Sequence, residues 1–174
     1  MHTLPKPPAS THQIDAFEPL EDCHRETLRM LGELSMLVAR IEQMGVDSHA
    51  RDMAGTVHRY FSEELRRHHA DEETHVFPAL ADCGNAETAQ AISRLKQDHA
   101  WLRADWRVLS PLVQALACGQ TWVDIDALRD GVEVFCTLSR DHIALEESLV
   151  YPQARIRMLE STRQEMRLAL AARH

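Results

Sequence analysis

The sequence predicts an all-α protein, an up-down-up-down four-helix bundle with a short fifth helix at its C-terminal end. Apolar residues recur every three or four positions over long stretches, strand-like alternation is absent, and glycine is rare, with 6 in 174 residues. Amphipathic segments of about 25–30 residues with short connections between them pack as such a bundle.

Capping residues, glycines and prolines set the bounds of each predicted helix in turn. Gly45 stops the first helix, and Asp47 or Ser48 is suited to cap the second. Asn85 and Asp124 are suited to cap the third and fourth, and Pro111 is expected to kink the third. The predicted spans are about 20–44, 48–77, from 85 to a turn near 120, 124–152 and 162–171.

The chain divides into an N-terminal arm (1–18), the bundle (19–156) and a C-terminal helix (157–174). A net charge of −8 argues against nucleic-acid binding, and no apolar run is long enough to span a membrane. Prolines near the N-terminus exclude a signal peptide, so a cytoplasmic location is expected. The four cysteines are scattered and are interpreted as reduced thiols.

Histidines interrupt the apolar stripes of all four helices. His99 lies between Leu95 and Leu102, and His24 precedes the stripe of the first helix. The second and fourth helices each add a histidine with a glutamate four residues later. The predicted inward set is His24, His68, Glu72, His99, His142 and Glu146. Because buried carboxylates need strong partners, six such groups at one level of a core predict a metal site.

An internal repeat supports this assignment. The segments HHADEETHVFP (68–78) and HIALEESLVYP (142–152) share His-x-x-x-Glu-Glu followed by an aromatic residue and proline. Each half of the chain thus has one helix with a single inward histidine, followed by one helix with the His-x-x-x-Glu motif. Imidazole and carboxylate ligands suit iron, manganese or zinc, and carboxylates able to bridge suggest two ions.

These residues resemble the hemerythrin-like (HHE cation-binding) family, over nearly everything from Asp22 to Pro152. The resemblance implies that the six residues hold two iron ions bridged by Glu72, Glu146 and an oxo or hydroxo group. The chain differs from the oxygen-carrying hemerythrins at one position. Those proteins have a second histidine four residues after the histidine of the third helix, where this chain has Arg103 after His99. The four-histidine, two-glutamate set is more similar to that of the repair-of-iron-centres proteins.

The resemblance implies a non-haem di-iron protein that binds or senses O₂ or NO, or handles iron under oxidative or nitrosative stress. The alternatives are a di-iron enzyme or iron donor in the repair of damaged iron centres, a ferritin-like carboxylate protein using Glu21-x-x-His24 and Glu72-x-x-His75, and a metal-free interaction bundle. No catalytic residue is assigned, and a homo-oligomer is possible.

Two further histidines lie close to the predicted ligands. His69 with Glu73 offers a competing register, but the repeat has Ile143 in the matching position, so His69 is expected on the flank of the second helix. His75 lies three residues after Glu72, on the same inner face of the second helix. It is a candidate seventh ligand, or a hydrogen-bond donor to the ligands. Glu73 and Glu147 are expected to form salt bridges or face solvent.

Overall fold

The computed structural model describes residues 15–81 and 85–172, and within these ranges the chain forms helices and no strand. The predicted fold class, a helical bundle with a short C-terminal helix, is confirmed. The helices are α1 (Glu18–Met44), α2 (Ser48–Arg59, continuing through Tyr60–Glu64, Leu65–Asp71 and Glu72–Val76), α3 (Ala86–Ala117), α4 (Ile125–Leu145, continuing through Glu146–Val150 and Tyr151–Arg157) and α5 (Glu160–Ala171). A single 3₁₀ turn, Pro78–Leu80, follows α2.

The helix caps are those that the sequence predicts. Asp47 accepts a hydrogen bond from the Ala50 N–H at 2.8 Å, and Asn85 and Asp124 cap α3 and α4 in the same way. Gly45 ends α1 with a φ of 75°, a conformation in which a side chain is disfavoured. Pro111 lies inside α3, which continues past it without interruption.

Three predicted boundaries differ from the structure: α5 begins at Glu160 rather than at residue 162, and proline explains the other two. Helix α1 begins at Glu18, because Pro19 fits the first turn of a helix, where its missing N–H has no partner to lose. Helix α4 continues through Pro152 to Arg157. A π-helical turn over Glu146–Val150 precedes that proline and changes the local hydrogen bonding, so the proline does not end the helix.

The four long helices form a ring in which α1 contacts α2 and α4, and α3 contacts the same two. The apolar core is divided into two clusters. One surrounds Leu34, Phe61 and Phe135 near the α1–α2 turn. The other surrounds Phe77 and Tyr151 at the opposite end and includes Met166 and Leu170 of α5. The predicted polar side chains lie between these clusters.

Candidate metal centre

The six predicted side chains converge between the two apolar clusters, with one histidine from each helix of the ring. None is more than 5% exposed: they are His24, His68, Glu72, His99, His142 and Glu146. Their donor atoms fall into two groups of four, and within each group the atoms lie within 4.8 Å of one another. Each group is therefore compact enough to hold one metal ion.

The two groups are here called the α1 pocket and the α3 pocket. The α1 pocket consists of His24, His68, Glu72 and Glu146. The α3 pocket consists of His69, Glu72, His99 and His142. Glu72 belongs to both, so the pockets are adjacent and share a carboxylate.

His69 is the member of the α3 pocket that sequence analysis missed. Its side chain is only 3% exposed, and its ring stacks on His99 with centroids 3.9 Å apart. The expectation that it lies on the flank of α2 is wrong. Consecutive residues are about 100° apart around a helix, and α2 has a neighbour on each side. His68 therefore faces His24 of α1 while His69 faces His99 of α3.

Both glutamates present one oxygen to each pocket. Glu146 Oε2 is 3.1 Å from His24 Nε2, and its Oε1 is 3.2 Å from His142 Nε2. Glu72 Oε1 is 3.4 Å from His68 Nε2, and its Oε2 is 3.4 Å from His99 Nε2. This orientation suits carboxylates that connect two cations.

A second layer of carboxylates holds the far side of two histidine rings. His24 Nδ1 donates to Glu147 at 3.0 Å, and His99 Nδ1 donates to Glu73 at 2.8 Å. Because an ionised carboxylate only accepts hydrogen bonds, these Nδ1 atoms carry protons, and the Nε2 atoms face inward as candidate metal ligands. Each such contact joins the two halves of the chain, since α4 supports His24 of α1 and α2 supports His99 of α3.

The repeated glutamates sit where each helix widens into a π-helical turn. These turns span Glu72–Val76 and Glu146–Val150, so each begins at a glutamate that presents one oxygen to each pocket. A π-helical turn shifts the angular positions of the residues after it, and such turns are frequent at functional sites. Here each turn lets Glu72 or Glu146 face inward while the next glutamate reaches the neighbouring helix.

Without a cation, the electrostatics of the centre are poorly balanced. Glu72 Oε2 and both oxygens of Glu146 are buried without a hydrogen-bond donor among the described residues. Burial, together with the charge of Glu72, raises the pKa of Glu146 well above its ordinary value. Burial acts to lower the pKa of His24, but the adjacent carboxylates of Glu146 and Glu72 outweigh it and raise that pKa to about 10. Protons on Glu146 and His24 thus offset the buried negative charge. Metal ions would offset the same charge, so the imidazoles and carboxylates of the two pockets fit two metal ions.

Tyr151 closes the α1 pocket on one side. Its hydroxyl donates to Glu72 Oε1 at 2.5 Å and lies 3.2 Å from His24 Nε2. The matching residue of the other half is Phe77, which stacks against His99 and has no hydroxyl. The two pockets therefore differ: the α1 pocket has a phenol, and the α3 pocket has the extra imidazole of His69.

Three other side chains lie outside the pockets: His75, His58 and Glu21. His75 is half-buried and belongs to neither group among the described residues. His58 bonds Ser110 Oγ at 2.9 Å, away from the centre. Glu21 pairs with Arg155 at 2.6 Å, so the ferritin-like pattern that used Glu21 and His75 is not formed.

Comparison with known proteins agrees with this geometry. Residues 15–154 match the hemerythrin HHE cation binding domain. The chain belongs to this family. The match covers the helical ring and all seven histidines and glutamates of the two pockets, and the resemblance noted from the repeated His-x-x-x-Glu-Glu motif is confirmed.

Three known proteins are similar to the chain over most of its length. An uncharacterized protein of Haemophilus influenzae is 31% identical over 135 residues, which is 78% of this chain and 76% of that protein. Iron-sulfur cluster repair proteins YtfE from Pectobacterium carotovorum and Pectobacterium atrosepticum are 29% and 30% identical, over 76% of this chain. The matched region spans 60% of the length of each of these repair proteins. Within the described residues, no helix is long and apolar enough to cross a membrane.

Proposed function

We propose that this hemerythrin-family chain holds two iron ions in the α1 and α3 pockets, with Glu72 and Glu146 bridging them. The observation that carries the proposal is the orientation of these two carboxylates. In each of them one oxygen faces the α1 pocket and the other faces the α3 pocket. The ligands proposed from the sequence, His24, His68, Glu72, His99, His142 and Glu146, are joined by His69 in the α3 pocket. Bound iron would supply redox chemistry and an affinity for small ligands.

We further propose that the centre binds a small diatomic molecule, O₂ or NO. A cavity of about 10 Å³ lies against His24, His68, His69 and His142. A space of this size excludes an organic substrate and limits a ligand beside the centre to a very small molecule. Leu65, Leu102 and Ile143 supply apolar walls to this cavity, which favour an uncharged ligand over a hydrated ion.

Delivery of iron for the repair of damaged iron centres is the second candidate. It rests on the similarity to proteins named for iron-sulfur cluster repair, which this chain matches over 60% of their length. Tight, reversible binding of a diatomic ligand would favour the first function, whereas transfer of iron to an acceptor protein would favour the second.

Metal analysis of the purified protein tests the di-iron proposal. We expect two iron ions per chain after loading under anaerobic conditions, and about one in the His24→Ala and His99→Ala variants. The His58→Ala variant is the matched control, because His58 lies outside both pockets, and it should retain two. One ion per wild-type chain would overturn the di-iron proposal. Spectra of the reduced protein mixed with NO or O₂ then test ligand binding, and no reaction with either gas would leave iron handling as the function.

A further inference from the structure

Two cavities of opposite charge reach the metal centre along the two sides of α2. One, of about 590 Å³, includes His68 and five acidic residues in its lining: Glu18, Asp22, Glu26, Glu64 and Asp71. The other, of about 400 Å³, includes His69 and three arginines, Arg66, Arg103 and Arg107, and no acidic residue. In a chain with a net charge of −8, a basic cavity stands out.

The basic cavity lies between α2 and α3 and has an apolar interior. Phe61, Leu65, Leu102 and Trp106 line it, and all four are buried in the core. Leu65, His69 and Leu102 also line the small cavity beside the metal pockets. The three side chains therefore lie between the basic cavity and the small cavity, and His69 also belongs to the α3 pocket.

Two of the arginines have no carboxylate partner within the described residues. Arg103 contacts Glu73 at 3.4 Å, but no ion pair or hydrogen bond of Arg66 or Arg107 is found among residues 15–81 and 85–172. Both side chains are exposed, whereas the apolar residues behind them are buried. The cavity thus combines a cationic rim with an apolar floor.

We propose that this cavity binds a small organic anion with an aromatic or aliphatic body, beside the α3 pocket rather than inside it. Its volume falls in the range of small-molecule sites, about 300–1,000 Å³. The apolar floor would cover the body of the molecule, and Arg66 and Arg107 would bind its acid group. A bare inorganic anion would gain nothing from the floor, and a cation would be repelled by the rim. The bound molecule would end against His69.

A fluorescence titration with 1-anilinonaphthalene-8-sulfonate tests the site on the full-length, metal-loaded protein. We expect saturable binding of one molecule per chain. Because exposed ion pairs contribute modestly, the double variant Arg66→Gln, Arg107→Gln should bind about tenfold more weakly. The uncharged analogue N-phenyl-1-naphthylamine should bind the wild type and the double variant equally.

The Arg140→Gln variant is the matched control, because Arg140 is an exposed arginine of α4 that does not line the cavity. It should bind the sulfonate as the wild type does. Circular dichroism melting of each variant establishes that the fold is retained. Equal affinity of the sulfonate for wild type and double variant would overturn the proposal. So would the absence of saturable binding, or an equal loss of affinity for the uncharged analogue.

Discussion

Removing the outer carboxylates should weaken metal binding without touching a proposed ligand. Glu73 and Glu147 hold the Nδ1 atoms of His99 and His24 at 2.8 and 3.0 Å. Loss of either frees a ring to rotate and to change its tautomer, so that its Nε2 no longer points steadily inward. We therefore expect the Glu73→Ala variant to bind metal less tightly in the α3 pocket, and the Glu147→Ala variant in the α1 pocket.

The size of the effect follows from the exposure of these side chains. Outer partners of histidine ligands typically change metal affinity 10- to 100-fold, but Glu73 and Glu147 are 39% and 46% exposed. Solvent screening places both near the lower end, a loss of about tenfold or about 1.4 kcal/mol. Glu73 is the closer and less exposed of the two, so its removal should cost more.

Competition with a chelator of known affinity measures the change, with the amount of metal retained per chain followed as chelator is added. The Glu63→Ala variant is the control, because Glu63 is an exposed glutamate of α2 whose one ion pair within the described residues is with Arg67, at 3.8 Å. If the Glu73 and Glu147 variants hold both ions as tightly as this control, the outer carboxylates do not orient the rings and the reasoning is refuted.

Two further predictions concern the whole chain and one thiol. Chelation of the metal should lower the melting temperature. An ion at about 100 times its dissociation constant adds about 2.7 kcal/mol to the free energy of unfolding, or roughly 5–10 °C for a chain of this size. Calorimetry of the loaded and stripped protein measures the difference, and identical melting temperatures would contradict the prediction. Burial raises the pKa of the Cys23 thiol to about 11, so Cys23 is protonated at pH 8 and should be alkylated much more slowly than the exposed Cys118. The alkylation rate of Cys23 should rise as the pH increases toward 11. Mass spectrometry of the labelled peptides measures the rates of both thiols, and equal rates at pH 8 would refute the assignment.

Much of the fold could be predicted because its signals are local. Asp47, Asn85 and Asp124 cap helices through contacts with backbone groups two or three residues away, and such contacts depend little on the rest of the chain. Pro152 was misinterpreted because a proline normally ends a helix, while the π-helical turn that accommodates it leaves no pattern in the apolar stripe.

The candidate site was predicted in part for a related reason. The repeat located Glu72 and Glu146, because both halves of the chain carry the same motif and must bury the same face. The repeat also misplaced His69, whose partner position holds Ile143. An apolar stripe describes one face of a helix, but α2 faces two neighbours at the level of the site, and both His68 and His69 are buried. The two adjacent histidines were the feature of the sequence that could have indicated a ligand on each side of α2.

The contacts of Glu73 and Glu147 have a consequence for how the protein can be assembled. Each half contributes two histidines to one pocket, while the glutamate that steadies its first histidine comes from the other half. Two copies of a helical hairpin related by a twofold axis would make the same reciprocal exchange, as in an isologous dimer. The single chain has the contacts of such a dimer within one polypeptide, so neither hairpin alone can complete a pocket. Occupancy of one pocket is therefore tied to correct docking of both halves.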